Sequence, residues 1–203
     1  MLAALPFLLC ACARPAPPRA EWIIPARVEF LAADGAPREA PPAASARLWL
    51  PWVLGDLYGA PDGGELAPVA LQSDYRFTLD LNATTRIGEA LAKEKTEFTE
   101  NWVRIEPAEA RVARLLPYLL EADGIAPLGE SQWIDATGQR LMVLYFDRAA
   151  RIAGRYQSPS LTLEFDVAAT APGYVWVAIP EGSGIFKTAP FPRHVTLAVF
   201  PPR

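Results

Sequence analysis

Apolar and polar positions alternate along most of the chain from residue 22 onward. In "WIIPARVEFLA", Trp22, Ile24, Ala26, Val28 and Phe30 share one face, while Arg27 and Glu29 take the other. That period of two is the mark of a half-buried strand. A turn and loop follow in "ADGAPREAPPAASA", marked by Asp34-Gly35 and three prolines. "ARLWLPWVL" then carries Leu48, Leu50, Trp52 and Leu54 on one face. "DYRFTLDLN" is the cleanest strand, with Tyr75, Phe77, Leu79 and Leu81 inward and Asp74, Arg76, Thr78 and Asp80 outward.

The middle of the chain changes period. "TTRIGEALAKEKTEF" fits a short helix begun by Thr84 or Thr85, with Ile87, Leu91 and Phe98 along one stripe and Glu89 and Lys93 at the favourable four-residue spacing. "WVRIEP" reads as a strand. "PAEARVARLL" reads as a helical turn with Pro107 in its first position, ended by Pro117. The strand signal then returns. "QWIDATGQRLMVLYFD" predicts a hairpin turning at Asp135–Gly138. Its second arm and "GYVWVAIP" are apolar on both faces, as expected of central strands covered on both sides. "SLTLEFDVAA" alternates through Leu161, Leu163, Phe165 and Val167, and "HVTLAVF" through Val195, Leu197 and Val199.

These elements predict a mainly β fold, a β-sandwich of about eight or nine strands with one or two short helices between residues 84 and 120. The expected organisation is one domain over residues 22–203, the alternative being two small β subdomains that meet near residue 100. At 203 residues a chain can bury roughly 70% of the surface its unfolded form exposes, so it needs neither disulfides nor a metal to hold together. The 21 prolines suit turns and edge strands better than helices. The net charge is −4 with the signs interspersed. A nucleic-acid binder or a polybasic membrane patch needs clustered Lys and Arg, so neither partner is expected.

The N-terminus differs in character. Both cysteines, Cys10 and Cys12, fall in "MLAALPFLLCAC", an apolar run too short to span a bilayer and of the right length for a secretory signal. Leu9, Cys10, Ala11 and Cys12 resemble the lipobox of bacterial lipoproteins, in which a Leu stands three places before the modified cysteine and a small residue immediately before it. Cys12 fits that pattern. Cys10, preceded by bulky Leu9, does not. The resemblance implies a signal peptide at residues 1–11, cleavage before Cys12 and lipidation of Cys12. With Ala13 rather than an acidic residue next, it implies export to the periplasmic side of the outer membrane. Residues 12–21, with Pro15, Pro17 and Pro18, then read as a stiff tether.

Catalytic chemistry is thinly represented. The single histidine, His194, opens a predicted strand and leaves no pair of histidine ligands for a metal. Ser183 in "EGSGIF" is not a nucleophile elbow. Asp56, Asp62 and Glu65 in "GDLYGAPDGGE" are weak candidates for calcium, since their spacing matches no known calcium loop. Asp147, Arg148, Arg151 and Arg155 read as strand-end ion pairs before an anion site. No cofactor is implied.

The stronger candidates are aromatic: Trp49, Trp52 and Tyr58, set around Pro51. Period-two geometry puts Trp49 and Trp52 on opposite faces, so one of them points away from the core, where it can anchor a protein or stack on a sugar. The expected function is therefore a non-enzymatic, lipid-anchored accessory that binds or assembles another envelope protein. The alternatives are a carbohydrate- or peptidoglycan-binding module and, third, an envelope hydrolase using carboxylates.

Overall fold

The computed structural model describes residues 19–54, 66, 69–83, 87 and 102–202. They are mainly β. In chain order the strands are β1 (Ile23–Phe30), β2 (Ala46–Trp49), β3 (Trp52–Leu54), β4 (Arg76–Asp80), β5 (Val103–Glu106), β6 (Val112–Leu115) and β7 (Tyr118–Glu121). Then follow β8 (Glu130–Ile134), β9 (Arg140–Phe146), β10 (Ala150–Gln157), β11 (Thr162–Ala169), β12 (Gly173–Ala178), β13 (Gly184–Ala189) and β14 (Val195–Phe200). Besides Ile87, which is helical and buried, the described residues hold only two 3-10 turns, Ala20–Trp22 and Ala43–Ser45.

The strand count corrects the expected eight or nine to fourteen among the described residues. A proline cuts what the alternation joins, Pro51 dividing β2 from β3, and Pro117 separates two further strands, β6 and β7. The helical turn expected over 107–116 is also corrected. Residues 107–110 make a turn closed by the Ala110 N–H on the Pro107 carbonyl at 2.9 Å, and residues 112–115 are β6. Val112, Ala113 and Leu115 are buried because β6 lies between β3 and β9, with cover on both faces. The helix expected over 84–98 lies outside the described residues apart from Ile87.

Twelve strands form one sheet in the order β4-β1-β14-β8-β9-β12-β13-β11-β10-β5, with β6 also on β9 and β3 on β6; β2 and β7 form a separate pair. The β1–β14 and β11–β13 pairs are parallel and the rest antiparallel. Strands β9 and β12 organise the interior, as their two-faced apolar sequences predict. Leu141, Val143 and Tyr145 of β9 and Tyr174, Trp176 and Ala178 of β12 face one core, which Ile24, Val28, Phe77, Leu79, Leu197 and Trp133 complete. Met142, Leu144 and Phe146 of β9 and Val175 and Val177 of β12 face a second core, with Ile152, Phe165, Val167 and Phe186. Each such side chain contributes roughly 1.5–3 kcal/mol by leaving water.

Local polar contacts fix the strand ends. The Arg19 N–H donates to Asn82 Oδ1 at 2.8 Å, and Asn82 Nδ2 donates back to the Arg19 carbonyl at 3.2 Å. Arg19 is thereby fastened beside the end of β4. In the β8–β9 hairpin, Asp135 accepts from the N–H groups of Thr137 and Gln139 at 2.8 and 3.0 Å and from the Thr137 hydroxyl at 2.7 Å. Burial acts to raise its carboxyl pKa, but the hydrogen bonds from Thr137, Gln139 and Gly138 outweigh it and hold the value below the ordinary one. The stabilisation is present above the ordinary carboxylate range and is lost as the pH falls through the lowered folded value.

Gly154 of β10, opposite Val103 of β5, is glycine for want of room. A β-carbon there would overlap the Trp102 carbonyl and the Val103 backbone. Gly154→Ala should cost about 2–4 kcal/mol in urea unfolding. Gly182→Ala, at φ +70° in open space, should cost about 1 kcal/mol. Equal losses would show that the close approach of β5 is not the constraint.

Candidate functional site

The most distinctive geometry arises where β9 changes partner. The β8–β9 hairpin pairs Ile134 with Arg140 and Trp133 with Leu141. Continued in register, Ser131 would meet Val143, but Val143 already pairs with Leu115 of β6. Two strands therefore compete for one edge of β9, since β12 holds the other. Strand β8 peels away at Gln132 and continues along β14. The sheet forks with Met142 at the apex.

A cleft of about 550 Å³ opens in the fork. Leu115, Leu116, Pro117 and Tyr118 line one wall, Glu130, Ser131, Gln132 and Trp133 the other, and Leu141 and Met142 the floor; Arg114, Pro127, Gly129 and Pro202 complete it. A size of roughly 300–1,000 Å³ with an apolar lining and a few polar groups is usual for a ligand site.

Side chains hold the fork open. Gln132 Nε2 donates to the Leu141 carbonyl at 2.6 Å and to the Trp133 carbonyl at 3.2 Å, a side-chain amide that binds both carbonyls of the last ladder pair. Across the cleft, the Leu119 N–H donates to Ser131 Oγ at 3.3 Å. Trp133 is only 1% exposed, packed between Phe77 and Trp176. Its indole N–H is buried without an acceptor among the described residues. An unmet buried donor of this kind costs about 1–3 kcal/mol.

An aromatic pair extends the cleft. Trp49 and Tyr118 face each other across β2 and β7, their ring centres 5.6 Å apart and both half-buried. The next residues, Leu48 and Leu119, point the other way into the first core. The hairpin after β7 carries Ile125, 82% exposed, at its tip. That tip is fixed by the Ile125 N–H on Asp123 Oδ1 at 2.9 Å and the Glu121 N–H on the Ala126 carbonyl at 2.8 Å.

The sequence candidates thus separate. Trp49 is the outward tryptophan, whereas Trp52 is 3% exposed in the first core and offers no surface to a ligand. They part because Pro51 sends the chain from one sheet to the other. Cys10, Cys12, Tyr58, Asp56, Asp62 and Glu65 lie outside the described residues. His194 is exposed on the outer face of the sheet, near Arg27, Arg76 and Thr196. Ser183 Oγ accepts the Thr162 N–H at 2.9 Å, tacking its loop to β11. Asp147 accepts the Arg111 N–H at 2.8 Å and pairs with Arg148 at 3.1 Å. Arg151 pairs with Asp166 at 2.8 Å and Arg155 with Glu164 at 3.4 Å. These cations are engaged in ion pairs on a solvated rim.

Among the described residues, no three His, Cys, Asp or Glu side chains are placed to hold a metal. A scan of protein-family models, a search of curated proteins and a search of solved structures each find no significant match for this chain. The cleft residues Arg114, Tyr118, Ser131, Gln132 and Trp133 escape a reading of the sequence, because only the competition for β9 brings them together.

Trp52→Ala should cost about 3–5 kcal/mol of stability, as for other buried aromatics. Trp49→Ala should cost about 1 kcal/mol, the worth of its ring pairing. Denaturant unfolding of the two variants checks the assignment. A Trp49 variant as damaged as the Trp52 variant would place both rings in the core.

Proposed function

We propose that this protein is a lipid-anchored accessory of the bacterial outer membrane. Its β-sandwich binds a segment of another envelope protein in the fork cleft and catalyses no reaction. The anchor rests on the lipobox-like Leu9-Cys10-Ala11-Cys12. Between Cys12 and the fastening at Arg19 lie residues 13–18, which include three prolines. In polyproline conformation they would hold the domain about 20 Å from the lipid on the periplasmic side. The sandwich reading draws on the two groups of strands, β4-β1-β14-β8 and those around β9 and β12, that turn apolar faces towards the first core.

One observation carries the binding role: the cleft joins an apolar wall to a half-exposed aromatic pair, Trp49 and Tyr118, on the small sheet whose hairpin tip carries the exposed Ile125. Aromatic residues and Arg are the groups that anchor protein interfaces, and Arg114 lines the same cleft. A second reading, a carbohydrate- or peptidoglycan-binding module, draws on the Trp49–Tyr118 pair alone, since stacked rings also receive sugars.

Photo-crosslinking residues placed singly at Tyr118, Ile125 and, as a control, the exposed Thr78 test the proposal in the source cells. The expected result is one discrete protein adduct from Tyr118 and Ile125, none from Thr78, and its disappearance in a Cys12→Ser variant. A glycan adduct removed by muramidase would favour the second reading. No adduct from either Tyr118 or Ile125, or a wild-type protein found in the cytoplasm, would overturn the first.

A further inference from the structure

We propose that the cleft takes an extended polypeptide segment by strand addition to the edge of β8 at Ser131. This rests on the reading of the cleft as a protein-binding site and specifies how the partner is held. The phase of β8 fixes which backbone groups face the cleft. The Asp135 N–H bonds to the Gln139 carbonyl across the hairpin at 3.0 Å. In an antiparallel pair, alternate residues turn both backbone groups to the same neighbour, so Trp133 and Ser131, in phase with Asp135, turn theirs towards the side of β9.

Trp133 finds Leu141 there. Ser131 does not find Val143, which Leu115 occupies, and no strand among the described residues pairs with β8 on that side at Ser131. Its N–H and C=O therefore open into the cleft. An open strand edge is a template for another chain, and adding an extended peptide to such an edge is an established mode of recognition.

The same competition keeps the edge available: with Leu115 on Val143, β8 cannot pair back on β9 at Ser131 without displacing β6. Side chains of the segment alternate in direction along a strand. Met142, Leu115 and Tyr118 offer apolar surface to those that point into the cleft.

The test keeps the protein intact and alters the ligand. A displayed library of random peptides is selected on the full chain. The tightest binder is then resynthesised with single backbone N-methyl groups, each of which removes one N–H. Strand addition predicts weakened binding in the Tyr118→Ala variant and a loss in affinity of about tenfold at one position of the peptide, the residue whose N–H meets the Ser131 carbonyl, since one hydrogen bond is worth about that factor. Binding at the cleft with no N-methyl group mattering would overturn strand addition while leaving a protein-binding role intact. Selection of no peptide, or only of peptides indifferent to Tyr118→Ala, would overturn it as well. Crosslinking from Tyr118 in cells reports on the protein-binding role separately.

Discussion

The pairing of β9 with β12 is the constraint from which the remaining structure follows. Six consecutive registered pairs, from Gly173 with Phe146 to Ala178 with Leu141, join two strands whose side chains are buried on both faces. Because alternate side chains point to opposite sides, a single pair of strands serves two cores at once. One contains Val143 and Trp176, the other Leu144 and Val177. Loosening this pair would expose both cores together, so the chain has no means of unfolding one side of β9 without disturbing the other.

That pairing also creates the fork. With β12 on one edge of β9, only one edge remains for β6 and β8, and β9 is too short to give both a full ladder. The hairpin gives β8 the first two residues, and β6 takes Val143 to Phe146. Strand β8 is then carried off by five registered pairs with β14. The cleft is thus a consequence of how strands are shared. The half-buried Trp49–Tyr118 pair and the projecting Ile125 lie on the small sheet and hairpin that flank it.

Much of this architecture is legible in the sequence because alternation survives wherever one face meets a core. The strands containing Phe77 and Leu79, or Ile24, Val28 and Phe30, bury the faces that their patterns indicate. The doubly apolar β9 and β12 announce central strands. Legibility fails where a strand is buried on both faces yet short. In β6, Val112, Ala113 and Leu115 are spaced in a way that fits a helix as well as a strand, and Pro107 is as good a turn residue as a helix starter. The candidate site is legible only in part. Trp49 can be singled out as one of two alternately directed tryptophans, but which of the pair points outward depends on the break at Pro51. Ser131, Gln132 and Trp133 look like any other residues of a hairpin strand. Nothing local reports that β9 has already been taken.

The central claim is that Ser131 presents an open backbone edge while Trp133, two residues on, is fully paired. Residue-resolved amide hydrogen exchange of the free protein addresses it directly. The N–H groups of both residues point to the same side of β8, so burial of the strand as a whole affects them alike. The account predicts slow exchange at Trp133, at the rate of the β9–β12 ladder, and exchange at Ser131 faster by orders of magnitude. Equal protection at the two positions would mean that the edge is closed in solution, and the fork would then be no site at all.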